Sequence, residues 1–312
     1  ASGATTLVDI PQPEFMMGTF DWSAFGFFYP DGETPPEVMN ARALTHSNPW
    51  VVAAAVTEFA KRGDHSQVPL LRRYYEGPYL DVLPYVALAL TGDMARGRDL
   101  QILEAALSSD NSDTRRNAAI AAALAGNLQL VPSMLAAWEI ATAAQDHAMI
   151  GYSIAELLEE PGGEIAAHAD IFSLRNVDEY LARNPAFEKI SAQLRLLASQ
   201  EPEFIGLVKE GYREVRHAVD DDRTFVWRGA PWSMERFISS FLTTLNDEVA
   251  RPFVSLRQRF EAYTGVDCSE AFVDGEPDAL TMIAILEEFA DGGEMSKFVE
   301  GQRYFFGHPI PD

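Results

Sequence analysis

The chain has one cysteine, few basic residues and no long apolar run, and each shortage removes a class of protein. Cys268 has no second cysteine to pair with, so an internal disulfide is excluded; this suits a reducing compartment, and the expected location is cytoplasmic. Lysine and arginine number 24 against 47 aspartates and glutamates, a formal charge of −23. Nucleic-acid binders gain affinity by releasing counterions through Lys and Arg. A field of this sign therefore argues against nucleic acid and anionic membrane as partners, and attracts basic proteins or cations. No stretch reaches the roughly 18 apolar residues that span a bilayer. The opening ASGATTLVDI has neither the charged nor the apolar region of a secretory signal.

Motifs that carry chemistry are scarce as well. The glycine loops that cradle phosphates, G-x-x-x-x-G-K-[ST] and G-x-G-x-x-G, are missing. Gly151-Tyr-Ser153-Ile-Ala155 approaches a nucleophile elbow but lacks the second glycine and lies inside a helical pattern. Cys268 has acidic neighbours, which raise a thiol's pKa and weaken it as a nucleophile. No cofactor is expected, and the chain reads as a non-enzyme.

What is present is a folded core and a repeat. Hydrophobic residues make up 47% of the chain and aromatics 11%, enough to bury a core despite the charge. Four apolar segments end on a glycine: at Gly63-Asp64, Gly92-Asp93, Gly126-Asn127 and Pro161-Gly162. The spacing of 29, 34 and 36 residues signals stacked helical units. Glycine after a helix takes the left-handed conformation cheaply and stops it. The segments GDHSQVPLLRRYY (63–75) and GNLQLVPSMLAAW (126–138) share G-[DN]-x-x-x-V-P. Pro69 and Pro132 are expected in the first turn of the next helix, as are Pro49 after Asn48 and Pro78 after Gly77. Asn111 or Ser112 can cap a third helix start. The interiors, such as Ala118–Ala125, are rich in small apolar residues that let helices approach closely.

Over roughly residues 36–162 these units resemble HEAT-like repeat proteins of bacterial type. The resemblance implies an all-α solenoid and, with it, a protein-binding surface. Three regions are expected: an irregular aromatic N-terminal cap (1–35), HEAT-like helical repeats (36–168), and an acidic, non-repeating helical C-terminal region (169–312). The cap is inferred from the aperiodic run Phe15 to Tyr29, because a solenoid must cover its first apolar face. In the last region helices are expected at 176–183, 185–200, 203–219, 233–250, 252–263 and 277–291. Pro277 would start the last of these and Gly292-Gly293 would end it. Leu280, Ile283, Leu286 and Phe289 would face its core.

Candidate site residues fall into two groups. The loop Asp220-Asp221-Asp222 to Trp227-Arg228 and Trp232 joins acids to residue types that dominate interface hot spots; a packing role for both tryptophans stands beside that reading. From Glu261 onward there are 12 acids and 2 bases, which makes Glu270, Asp274, Glu276, Asp278, Glu287, Glu288, Asp291 and Glu294 partner-binding candidates. Two clusters offer plausible metal ligands, Glu164/His168/Asp170 and His217/Asp220, but neither shows the spacing of an established motif; solvated helix ends are the alternative. The basic residues that cluster are Lys61, Arg62, Arg72, Arg73, Arg96 and Arg98, all in the first units. A nucleic-acid role of the kind HEAT-like DNA glycosylases have would need them to line one groove.

Architecture and charge together resemble the immunity proteins of polymorphic toxin systems. That resemblance implies stoichiometric neutralisation of a basic toxin domain. A general interaction scaffold is the alternative, and a HEAT-like lyase or hydrolase a third reading.

Overall fold

The computed structural model describes residues 41–74, 82–92, 97–173, 201–219, 221–246, 253–273 and 276–311. The aromatic segment 1–35, the expected helix start at Pro78, and the expected helices 176–183 and 185–200 lie outside them. Helices dominate: α1 (Pro49–Ala60), α2 (Val82–Thr91), α3 (Gly97–Leu107), α4 (Ser112–Ala125), α5 (Val131–Glu139), α6 (Ala144–Leu158), α7 (Glu164–Ser173), α8 (Glu201–Ala218), α9 (Met234–Asn246), α10 (Phe253–Thr264) and α11 (Ala279–Asp291). Three antiparallel hairpins of two-residue strands interrupt them: β1–β2 (Val226–Trp227, Ala230–Pro231), β3–β4 (Phe272–Val273, Glu276–Pro277) and β5–β6 (Tyr304–Phe305, His308–Pro309). The architecture is all-α, as the repeat requires.

The repeat punctuation works as local physics dictates at most positions. Asn48 caps α1, its Oδ1 accepting the Trp50 N–H at 2.9 Å with Pro49 in the first turn. Asn111 caps α4 through the Thr114 N–H. Gly126 ends α4 at φ +63°. Asn127 then accepts the Gln129 N–H and opens the short 3₁₀ turn leading to α5. Asp64 does the same for Ser66 after Gly63. The shared G-[DN] pair is thus a stop followed by a side-chain cap.

Two expectations fail here. Pro69 does not start a helix; it sits inside one continuous 3₁₀ helix, His65–Tyr74, where the missing N–H and the i→i+3 pattern coexist. Gly92 is not left-handed. Small size is what matters there, because a Cβ would lie 2.8 Å from Leu88 Cδ1 and 3.3 Å from Val68 Cγ1. Its carbonyl is capped from far along the chain: Arg303 Nη1 donates to Gly92 O at 2.6 Å, and Nη2 donates to Ala89 O.

Contacts divide the described residues into two compact units, which differ from the division by repeat content at residues 35 and 168. A central unit runs from 97 to Pro231. A split unit joins the residues up to Tyr74 and 82–92 to everything from Trp232 onward. In the central unit α3 packs on α4, α4 on α6, and α6 on α7 and α8. In the split unit α1 packs on α2 and on the 3₁₀ helix, while α10 packs on β5 and α9 on α11.

One device occurs in both units. The hairpin sequences read V-W-R-G-A-P, F-V-D-G-E-P and Y-F-F-G-H-P, with the same register in each. In the first, the turn residues Arg228 and Gly229 donate their N–H groups to Glu156 O (2.9 Å) and Leu157 O (2.8 Å), near the end of α6. In the third, Phe306 and Gly307 donate to Ala262 O (2.7 Å) and Tyr263 O (2.8 Å), at the same offset from the end of α10. Both turns place a non-glycine residue at φ +50° before the glycine, as a type I′ hairpin turn demands. The first and third hairpins thus satisfy carbonyls that a helix leaves without partners at its C-terminus.

Candidate partner-binding surface

The first candidate loop folds as the β1–β2 hairpin and turns its aromatics inward. Trp227 and Trp232 are 1% and 0% exposed, so neither is an anchor for a partner. Each hairpin strand is short, and burying an indole is the largest apolar contribution it can make. Trp232 is ringed by Tyr263, Phe298 and Tyr304 at centroid distances of 5.2, 6.3 and 6.4 Å. Arg228 lies 4.2 Å over the Trp227 ring, with Glu160 at 3.9 Å from its guanidinium. Asp221 accepts the Arg223 N–H in a turn, and Asp222 pairs with Arg216. Asp220 lies outside the described residues. This loop is a packing element.

The C-terminal acids divide differently. Asp278 caps α11, its Oδ1 accepting the Leu280 and Thr281 N–H groups at 3.0 and 3.4 Å and its Oδ2 the Thr281 hydroxyl at 2.7 Å. The Thr281 bonds hold its carboxyl below the usual carboxylate range. The helix therefore starts at Ala279, and Pro277 closes the β3–β4 hairpin, where a helix start was expected. Glu276 belongs to that hairpin and Asp274 lies outside the described residues. Glu294 pairs with Lys297.

Besides Glu294, which is exposed beside Lys297, four C-terminal candidates are exposed: Glu270, Glu287, Glu288 and Asp291. The last three share the outward face of α11 with Ala284 and Leu280, at helical spacings of three and four. Leu286 and Phe289 face the core as expected and Met282 joins them, while Leu280, expected inside, is 79% exposed in the first turn. No basic residue occupies the last turn of α11, so three acids sit where the helix dipole is already negative.

Four cations of the split unit are held inside, while Arg42, Arg62, Arg73 and Lys297 of the same unit are exposed. Arg259 is 2% exposed. Arg303 caps α2, as described above. Lys61 Nζ lies 2.5 Å from Glu58 Oε1 and 5.1 Å from the Phe306 ring centroid, and burial lowers its pKa. Arg257 Nη1 sits 3.2 Å from Glu261 Oε1. Lys61 is thus committed to internal contacts and Arg96 lies outside the described residues, so no groove lined by the six clustered bases is seen. The Cys268 thiol is buried, and burial raises its pKa.

Of the two histidine–carboxylate clusters, the side chains of Glu164, His168 and His217 are described. His168 Nδ1 is 2.7 Å from Glu164 O, one turn back on its own helix, and its Nε2 is 3.8 Å from Glu203. Glu164 and His217 are exposed. Among the described residues, no group of three or more His, Cys, Asp or Glu side chains converges enough to hold a metal ion. Ser153 sits within α6 and donates to Met149 O at 2.9 Å. A groove of about 230 Å³ runs between α5 and α8, walled by Val131, Leu135 and Val208 with Lys209, Tyr212 and Glu139 beside them. That volume suits one side chain better than a drug-sized ligand. No described helix is long and apolar enough to cross a membrane.

No curated protein and no solved structure matches the chain. A family model for HEAT repeats matches residues 38–125, which takes in α1 to α4, and over that part the chain carries HEAT-like helical repeats.

Proposed function

We propose that the chain is a protein-binding scaffold that engages a basic partner through the outward face of α11. The observation that carries this reading is an exposed face of one charge sign on α11. Lys61, Arg257, Arg259 and Arg303 are turned inward, while Glu287, Glu288 and Asp291 stand exposed beside Leu280. Exposed charge of one sign speeds encounter with a partner of the other, and an exposed leucine beside it offers an apolar anchor.

The finer reading is that of an immunity protein. The partner is a basic toxin domain, and binding blocks it stoichiometrically; where that domain is a nuclease, the acidic face occupies its nucleic-acid groove. Helical repeats support this as rigid frames for macromolecular contact. Titration calorimetry with the product of the adjacent reading frame, at low and high salt, provides the test. A one-to-one complex that weakens with salt and with Glu287→Lys/Glu288→Lys/Asp291→Lys supports the binding face, and loss of the partner's toxicity in the complex supports immunity. Binding without inhibition leaves the general scaffold. Absence of a complex at low salt refutes the immunity reading.

A further inference from the structure

Glu261 is a carboxylate in the interior of the split unit, 3% exposed, and nothing in partner binding uses it. Three pieces distant in sequence meet around it. From its own helix α10, Arg257 Nη1 donates to Oε1 at 3.2 Å. From the loop that follows, the Cys268 N–H donates to the same oxygen at 3.2 Å, so both hydrogen bonds fall on Oε1. From α1, Lys61 faces the site with its ammonium held between Glu58 and the Phe306 ring of the third hairpin. That hairpin is fastened to α10 next to Glu261, through the Phe306 N–H to Ala262 O.

The charges around the carboxylate oppose one another. Arg257 and Lys61 favour the ionised form and Asp267 disfavours it. The larger effect is burial: a carboxylate taken out of water prefers to hold its proton unless its charge is fully matched. Lys61 is already matched by Glu58, and Arg257 contributes one hydrogen bond. Burial wins, and the group's pKa is pushed up from 4.5 to about 7.

We propose that the seam where α1, α10 and the third hairpin meet is a proton-controlled latch: it is closed with Glu261 protonated and loosens when Glu261 ionises. Below the ordinary value of 4.5 the open and closed states both carry the proton. Between there and about 7 the hydrated, open carboxylate releases its proton while the closed one keeps it. Closing then takes up one proton, so the closing equilibrium weakens up to tenfold per pH unit, and it levels off above the folded value. The sign is the reverse of a surface-paired carboxylate, which strengthens a fold as pH rises.

Amide hydrogen exchange on the whole chain, corrected for the intrinsic pH dependence of exchange, provides the test at the Cys268, Phe306 and Gly307 amides. From about pH 5 to pH 7, protection in the wild type is expected to fall up to tenfold per pH unit. In Glu261→Gln, which keeps the acceptor and removes the titration, it should be flat over the same window. An unchanged pH dependence in Glu261→Gln overturns the latch. Carbon-13 NMR titration of the Glu261 carboxyl in the wild type needs no variant: a midpoint near 4.5 overturns the proposal, and one near 7 supports it. Lys61→Met, which removes a facing cation, should move that midpoint higher.

Discussion

Replacing Gly126 by alanine separates two penalties that are usually confounded. Gly126 holds φ +63°, and a Cβ there would overlap the Phe225 ring, which is 3% exposed. A non-glycine residue in the left-handed region costs about 1–2 kcal/mol. Evicting a buried phenylalanine loses about as much as truncating it, roughly 3–5 kcal/mol. The expected total for Gly126→Ala is therefore about 4–7 kcal/mol. Gly162 supplies the control, because it holds φ +84° with nothing within 4 Å of an added Cβ. Gly162→Ala should cost only the backbone penalty, about 1–2 kcal/mol. Phe225→Ala alone should cost about 3–5 kcal/mol. Once the ring is gone, adding Gly126→Ala should cost the backbone penalty that Gly162→Ala shows plus the shift needed to clear Val226 O, 2.7 Å from the added Cβ. The double variant then falls short of the sum of the singles by about 3 kcal/mol, a coupling well above the usual deviation from additivity. Hydrogen exchange at central-unit amides is the assay, since a chain with two units need not unfold in a single step. Equal losses for Gly126→Ala and Gly162→Ala, or strict additivity with Phe225→Ala, would refute the overlap.

The two hairpins that cap helices make a second comparison. An added Cβ at Gly229 lies 2.8 Å from Leu158 O, and one at Gly307 lies 3.5 Å from Thr264 O, at nearly equal φ of +76° and +74°. Gly307→Ala should cost about 1–2 kcal/mol and Gly229→Ala more, measured by hydrogen exchange in the unit that holds each; equal costs would place the whole effect in the backbone. Reversing Glu287, Glu288 and Asp291 to lysine should raise the stability of α11 by about 0.3–1 kcal/mol per residue near its end, because cations suit a helix C-terminus, while weakening the basic partner; a thermal melt beside the binding titration reads both, and a loss of stability would remove the binding inference. Glu261→Gln should leave the split unit's exchange independent of pH where the wild type weakens.

The helices were legible because their signals are local. Asn48, Asn111, Gly63 and Gly126 act through their own backbone and nearest neighbours, and the expected caps and stops stand at those positions. The hairpins were not legible. Two residues per strand give no alternation to read, and the turns carry Arg228 and Phe306 where asparagine or aspartate would advertise a type I′ turn. The signal that was present is the threefold recurrence of two apolar residues, one variable, glycine, one variable and proline, at 226, 272 and 304. Missing it left the packing role of Trp227 and Trp232 undecided, started α11 at Pro277, and put Leu280 in the core. The Glu261 site was out of reach for a different reason. Its parts come from residues 58–61, 257–268 and 306, and no local pattern brings those together.

The net charge of −23 understates what a partner meets. In the split unit Arg303 is consumed capping the carbonyls of Ala89 and Gly92, Lys61 lies between Glu58 and an aromatic ring, and Arg257 answers a buried carboxylate. Lys61 is matched by the Glu58 carboxylate at short range, and all three cations are engaged inside the unit, away from the α11 face. The acids on the outer face of α11 have no such answer from the last turn of their own helix, so their field extends into water over a Debye length of about 8–10 Å at ordinary ionic strength. Internal needs of the fold therefore sharpen the outside electrostatics: the arginines that hold helix ends and seams together are the same ones withdrawn from the surface. On the proposed reading, a basic partner approaching α11 meets a field set by the exposed acids, and Leu280 is placed to turn that encounter into contact.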